Sequence, residues 1–67
     1  MPKSSVPSLA TIRRAKPMTQ AALAKALGVT TATVGNWESG RSTPPLKTLK
    51  AIADVLGVTV SDLLASP

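Results

Sequence analysis

Glu38, Asp54 and Asp62 are the whole acidic inventory of this chain, which has no histidine and no cysteine. Three dispersed carboxylates make no metal-ligand cluster, and no imidazole or thiolate is on hand for nucleophilic or general acid–base work. No glycine loop of the phosphate-cradling kind is found either. A catalytic function is therefore not expected, and neither is a metal or another cofactor. What remains is hydrogen bonding. On a wheel at about 100° per residue, Thr31, Ala32, Gly35 and Asn36 fall on one arc, and Val34 and Trp37 fall on the other side. The first set is expected to face solvent and the second the core. The outward arc offers a carboxamide and a hydroxyl, groups that recognise donor–acceptor patterns without breaking bonds.

Such an arc needs a helix held firmly against a neighbour, and Thr19–Gly40, TQAALAKALGVTTATVGNWESG, reads as that pair. Leu23, Ala24 and Leu27 mark an apolar stripe at helical spacing, and Gly28 stops the first helix of the pair. Val29 follows as an apolar contact and Thr30 can cap the next helix, over residues 31–39, which Gly40 stops. Two helices joined by a short turn containing glycine form a helix-turn-helix.

The flanking sequence supplies a frame. Residues 1–8 read as a flexible N-terminal arm, since Pro2, Ser4, Ser5 and Pro7 lie in a stretch without periodicity. Ser8 is placed to cap a helix over about 9–16 with Leu9 and Ile12 inward, and Pro17 ends it. Thr19 is the natural N-cap of the next helix. Residues 40–45 have loop composition. A fourth helix starts at Pro45 or Leu46, buries Leu46, Leu49, Ile52, Ala53 and Leu56, and stops at Gly57. Thr59-Val-Ser-Asp62 resembles a capping box, with Asp in place of Glu, and opens a last helix through about residue 64. Residues 65–67 are left as a tail. Leu27-Gly-Val-Thr30 and Leu56-Gly-Val-Thr59 repeat one stop-and-restart signal.

Sixty-seven residues make one small domain, and its 43% hydrophobic content comes from Leu, Val, Ile and Ala with one Trp and no Phe or Tyr. That composition suits short packed helices rather than a sheet. A net charge of +5 draws a small protein toward polyanions, of which nucleic acid is the usual one. The same charge also serves plain solubility. An anionic membrane fits less well, because the cations are dispersed and face no bulky apolar anchors. Without an apolar stretch of membrane-spanning length or a secretory signal, the expected location is the cytoplasm, at the nucleoid.

With these residues in place, Thr19–Gly40 resembles the helix-turn-helix of the Cro-like phage repressors and the xenobiotic-response-element-type bacterial regulators. The order of five helices matches that family from Leu9 to Leu64. The resemblance implies an all-α, five-helix lambda-repressor-like DNA-binding domain over residues 9–64, with the helix-turn-helix at about 19–40. In the family, the outward arc of the third helix enters the major groove. Carried onto this chain, Asn36 can pair with adenine N6 and N7, and Thr31 can bond a base edge or offer its methyl to thymine. Ala32 can give an apolar contact. Gly35 gives none, and either allows close approach or is a helix defect costing about 1 kcal/mol relative to Ala. Gln20 matches the family glutamine that meets a phosphate at the start of the second helix, and Thr33, Ser39, Arg41 and Ser42 flank the groove as further phosphate contacts. The resemblance also pairs Arg13 with Glu38 as a partly buried ion pair, and puts Trp37 in the core. Two positions depart from the pattern: Pro17 replaces a glycine between the first two helices, and Ala22 replaces the glutamate of a capping box.

The function so implied is transcription regulation, as a repressor bound to an inverted repeat in double-stranded DNA as a homodimer. Val58, Val60 and Leu64 are the candidate dimer contacts, and serve equally well as core. The alternative is a protein-interaction module of the same fold, an antitoxin or adaptor whose partner is a toxin or another regulator. No membrane partner is expected.

Overall fold

The computed structural model describes residues 6–65, which form five α-helices and no strand: α1 (Leu9–Ala15), α2 (Gln20–Leu27), α3 (Thr31–Ser39), α4 (Leu46–Leu56) and α5 (Val60–Leu64). Local chemistry sets most of these limits. Thr19, Thr30 and Thr59 adopt extended backbone, and each hydroxyl oxygen accepts the N–H three residues on, from Ala22, Thr33 and Asp62, at 3.0–3.1 Å. Each thereby satisfies a donor that a helix start leaves without a partner. At Thr59 the box is reciprocal, since Asp62 Oδ2 accepts the Thr59 N–H at 3.0 Å. That backbone hydrogen bond, with the Thr59 hydroxyl, holds the Asp62 carboxyl below its ordinary value.

Helix ends repeat one device. At Gly28 φ is +72°, a left-handed backbone that strains any residue with a Cβ. The Gly28 N–H then bonds Lys25 O and the Val29 N–H bonds Ala24 O, the paired closure of a Schellman motif. Gly57 and Val58 close α4 in the same way on Asp54 O and Ala53 O. In both, the apolar residue after the glycine packs against the core. The repeated Leu-Gly-Val-Thr is therefore a Schellman stop followed directly by a threonine cap.

α4 supplies the centre of the core through Leu49, Ile52, Ala53 and Leu56, the i, i+3, i+4, i+7 pattern of one helix face. Leu9, Leu23, Ala24, Val34, Trp37 and Leu63 close over it from the other helices. Leu46, expected on that face, is 63% exposed. It is the first residue of α4, and side chains lean toward a helix N-terminus, which carries Leu46 past the edge of the core.

The N-terminal boundary also differs from the expectation. Val6 and Ser8, assigned to a flexible arm, are both buried. The Ser8 N–H bonds Leu63 O at 3.2 Å and its hydroxyl donates to Ala65 O. Ser8 thus makes no side-chain cap for α1, because its hydroxyl serves a carbonyl at the end of α5. Residues 1–5 of the expected arm and 66–67 of the expected tail lie outside the described residues. α1 stops at Ala15, and the turn over Pro17 closes without a left-handed residue, Lys16 and Met18 N–H groups both bonding Arg13 O.

Replacing Val6 by Ala should cost about 1–3 kcal/mol through lost burial and a residual cavity. Thermal melting checks this, and an unchanged midpoint would return Val6 to the arm.

Candidate nucleic-acid interface

α2 and α3 form the most extensively packed helix pair, joined through Gly28–Thr30. Leu23 and Ala24 of α2, and Val34 and Trp37 of α3, are buried. The outward face of α3 is what that packing leaves. Thr31 and Ala32 are exposed, while Gly35 and Asn36 are half-buried. All four lie on the side away from the core, with the α3 N-terminal turn the most open part.

One polar network fixes α3 to the rest. Arg13 Nε donates to Glu38 Oε2 at 2.6 Å and Arg13 Nη2 donates to Glu38 Oε1 at 3.1 Å. Both side chains are more than nine-tenths buried. Arg13 Nη1 donates to Met18 O at 2.8 Å, so the same guanidinium braces the Pro17 turn. Gln20 Nε2 donates to Glu38 Oε1 at 2.9 Å. Burial pushes the Glu38 carboxyl up, but hydrogen bonds from Arg13 and Gln20, with the charges of Arg13 and Arg14, outweigh it and hold the group below its ordinary value. The hydrogen bond to Glu38 in turn raises the Arg13 guanidinium. Both remain charged at neutral pH. Gln20, expected on a phosphate, therefore has one of its amide donors engaged inside the domain.

The other expected phosphate contacts are placed by α3 itself. The Thr33 hydroxyl lies 2.9 Å from the Thr30 hydroxyl and belongs to the cap. Ser39 Oγ donates to Asn36 O at 3.2 Å. Arg41 and Ser42 N–H groups also bond Asn36 O, at 2.9 and 3.4 Å, and Gly40 N–H bonds Trp37 O. This is a third Schellman closure, but the residue after its glycine is Arg41, which stays exposed. Asn36 thus has two parts: a side chain on the outward face and a carbonyl that organises the 40–42 loop. Sequence reasoning gave only the first, although Gly40 at the helix end was the signal for the second. Arg14, Lys16, Lys25, Lys47 and Lys50 are all exposed.

Val58 and Val60 are half-buried and pack against the core. Leu64 remains 47% exposed. Among the described residues no group of three or more metal-ligating side chains comes together.

Residues 9–63 match the helix-turn-helix family over most of the chain. The chain belongs to the helix-turn-helix family. Within that family it is 37% identical over 54 residues to the HTH-type transcriptional activator BcrR of Enterococcus faecalis, which covers 81% of this chain and 26% of BcrR. The chain thus spans about a quarter of that relative's length. Among solved structures, the clp gene regulator ClgR from Corynebacterium glutamicum superposes with a TM-score of 0.84 at 27% identity, over 92% of this chain and 67% of that one. Hydroxypropylphosphonic acid epoxidase from S. wedmorenis superposes with a TM-score of 0.84 at 34% identity, over 97% of this chain and 35% of the epoxidase. The helix-turn-helix unit is therefore shared with proteins whose remaining lengths differ.

Arg13→Met should destabilise the domain by about 3–5 kcal/mol by stranding a buried carboxylate, and a second change, Glu38→Leu, should recover most of the loss. The sign with pH follows from the lowered Glu38 value. Its contribution is present above the unfolded carboxylate pKa, about 4.3, and is lost as pH falls through the lower folded value. Melts from pH 7 to 2 should show that acid loss in the wild type and a smaller one in the double variant.

Proposed function

We propose that this domain is a sequence-specific DNA-binding regulator of transcription that places the N-terminal part of α3 in the major groove. The observation that carries the reading is the open α3 face, with Thr31 and Ala32 exposed and Asn36 beside them, on a helix anchored by a buried ion pair. Recognition at near-atomic spacing needs a helix that does not shift, and a bidentate arginine–carboxylate pair is well suited to hold one. Asn36 and Thr31 are the direct readers in this proposal, with Ala32 against a thymine methyl. Ser39, Arg41 and Ser42 hold phosphates, and Thr33 lies at the edge of that set. Groove-facing residues this small leave part of the sequence preference to DNA shape.

The proposal continues to a repressor bound as a homodimer to an inverted repeat. Half-sites one helical turn apart lie about 34 Å from centre to centre. Two domains with a Cα envelope of 28 × 23 × 22 Å come within side-chain reach at that spacing, and Leu64 is the exposed apolar residue of α5 available for contact. Occupying an operator requires no surface beyond this interface, which favours repression. BcrR, named an activator, matches this chain over only a quarter of its length. The proposed location is the cytoplasm, at the nucleoid; among the described residues no helix is long and apolar enough to cross a membrane.

A protein-interaction role, as antitoxin or adaptor, is the second reading. It is favoured by the likeness to the epoxidase, a protein named for an enzyme activity that carries the same five-helix unit. In either reading the unit itself is proposed to be non-catalytic.

Selection of duplexes from a random library near physiological salt separates the two. An enriched inverted repeat with fixed spacing supports the dimeric DNA reader, whereas salt-sensitive retention with no enrichment favours the protein partner. Within an enriched site, Asn36→Ala should relax one base position at a cost of about 1–3 kcal/mol. Equal losses on cognate and random duplexes would remove Asn36 from the readers. Arg41→Ala should weaken all duplexes alike and reduce the salt slope by about one; an unchanged slope would argue against a phosphate contact there.

A further inference from the structure

α5 ends differently from the three helices before it. α2, α3 and α4 each stop at a glycine in left-handed conformation, whose N–H closes back on the helix. α5 instead runs into Ala65, whose backbone is extended, and has no such closure. A helix of five residues does not hold itself in water, so its end needs a partner from elsewhere. That partner is Ser8. Its N–H donates to Leu63 O at 3.2 Å, and its hydroxyl donates to Ala65 O. The two carbonyls stand on either side of Leu64. Leu63 is fully buried, whereas Leu64 is 47% exposed. A single buried residue from before α1 therefore grips the backbone on both sides of the leucine that α5 turns outward.

The same end of the chain differs in charge. All eight Lys and Arg lie at or before Lys50, and residues 51–65 carry Asp54 and Asp62 with no cation. Two copies of a chain with a net charge of +5 repel one another. The surface of α5 is one that a second copy can approach without setting cation against cation.

We infer that Ser8 is a positioning residue for the contact between two copies, fixing the direction in which Leu64 meets the other copy. The inference rests on the homodimer proposed above, with Leu64 in its contact. Ser8 is itself buried, so it acts through Leu64 and not by touching the second copy. α5 packs against α4 and α1. The α3 face is held separately, by α2 and by the Arg13–Glu38 pair. Loosening the grip of Ser8 therefore frees the end of α5 while leaving the reading face in place. Pairing of two copies is in this way set from the opposite end of the described chain.

The test compares the wild type, Ser8→Ala and Leu64→Ala on the inverted repeat that the wild type enriches and on a duplex carrying one half-site. Each protein is first shown to be folded by its circular-dichroism melt. Ser8→Cys, which keeps the size of the side chain with a weaker donor, replaces Ser8→Ala should that variant not hold its fold. The Ser8 variant should bind the single half-site within about twofold of the wild type and fill the repeat roughly 2- to 10-fold more weakly. Hydrogen exchange should quicken at the amides of α5 and stay unchanged in α3. Equal losses on the half-site and the repeat, or faster exchange in every helix alike, would make Ser8 a general stabiliser and overturn the inference. So would a Ser8 variant that fills the repeat as the wild type does while Leu64→Ala does not. A wild type that fills the repeat without cooperativity, or a Leu64→Ala variant that keeps it, would instead remove the homodimer contact and the role of Ser8 with it.

Discussion

A buried ion pair between Arg13 and Glu38 is the interaction on which this small domain's geometry turns. In a core otherwise made of aliphatic side chains and one tryptophan, a charge of either sign would be costly alone. Together they neutralise each other, and the geometry uses three separate guanidinium nitrogens: two on the carboxylate and one on Met18 O. That last bond explains how proline stands where a glycine was expected. The turn from α1 to α2 is held from within by a side chain, so it needs no left-handed residue. The same carboxylate takes up Gln20, and a single anion on α3 thereby fixes the end of α1, the turn after it and the start of α2.

The three glycine closures show how one residue beyond the stop decides what the chain does next. After Gly28 and Gly57 comes valine, which returns to the core, and a threonine cap starts a new helix at once. After Gly40 comes arginine, which stays in water, and the chain runs as a loop to Pro45 before α4 begins. The identical hydrogen-bond closure thus yields a tight helix-to-helix turn twice and an exposed cationic loop once. Only the second outcome presents Arg41 and Ser42 beside the α3 face.

Much of this was legible in the sequence because it is local. Threonine caps, glycine stops and the apolar face of α4 each depend on residues within two turns of one another, and the limits of α3 and α5 follow from them. What was not legible depended on distant parts of the chain. Ser8 read as part of an arm because its partners, Leu63 and Ala65, stand at the other end of the sequence. Leu46 fitted the α4 periodicity and still lies outside, since a wheel has no account of where the core ends along a helix axis. The pairing of Arg13 with Glu38 came from family resemblance alone; no local rule joins residues on α1 and α3. Gln20 belongs with these, because its hydrogen-bond partner on α3 decides which way its amide faces.

Ser8 lies against Leu63, with the two backbones joined at 3.2 Å. The first and last parts of the described fold therefore lie side by side. A unit with adjacent ends can be spliced into a loop of a larger protein, or cut and rejoined elsewhere, without disturbing its interior. Portability of this kind is a property of the closing serine as much as of the five helices.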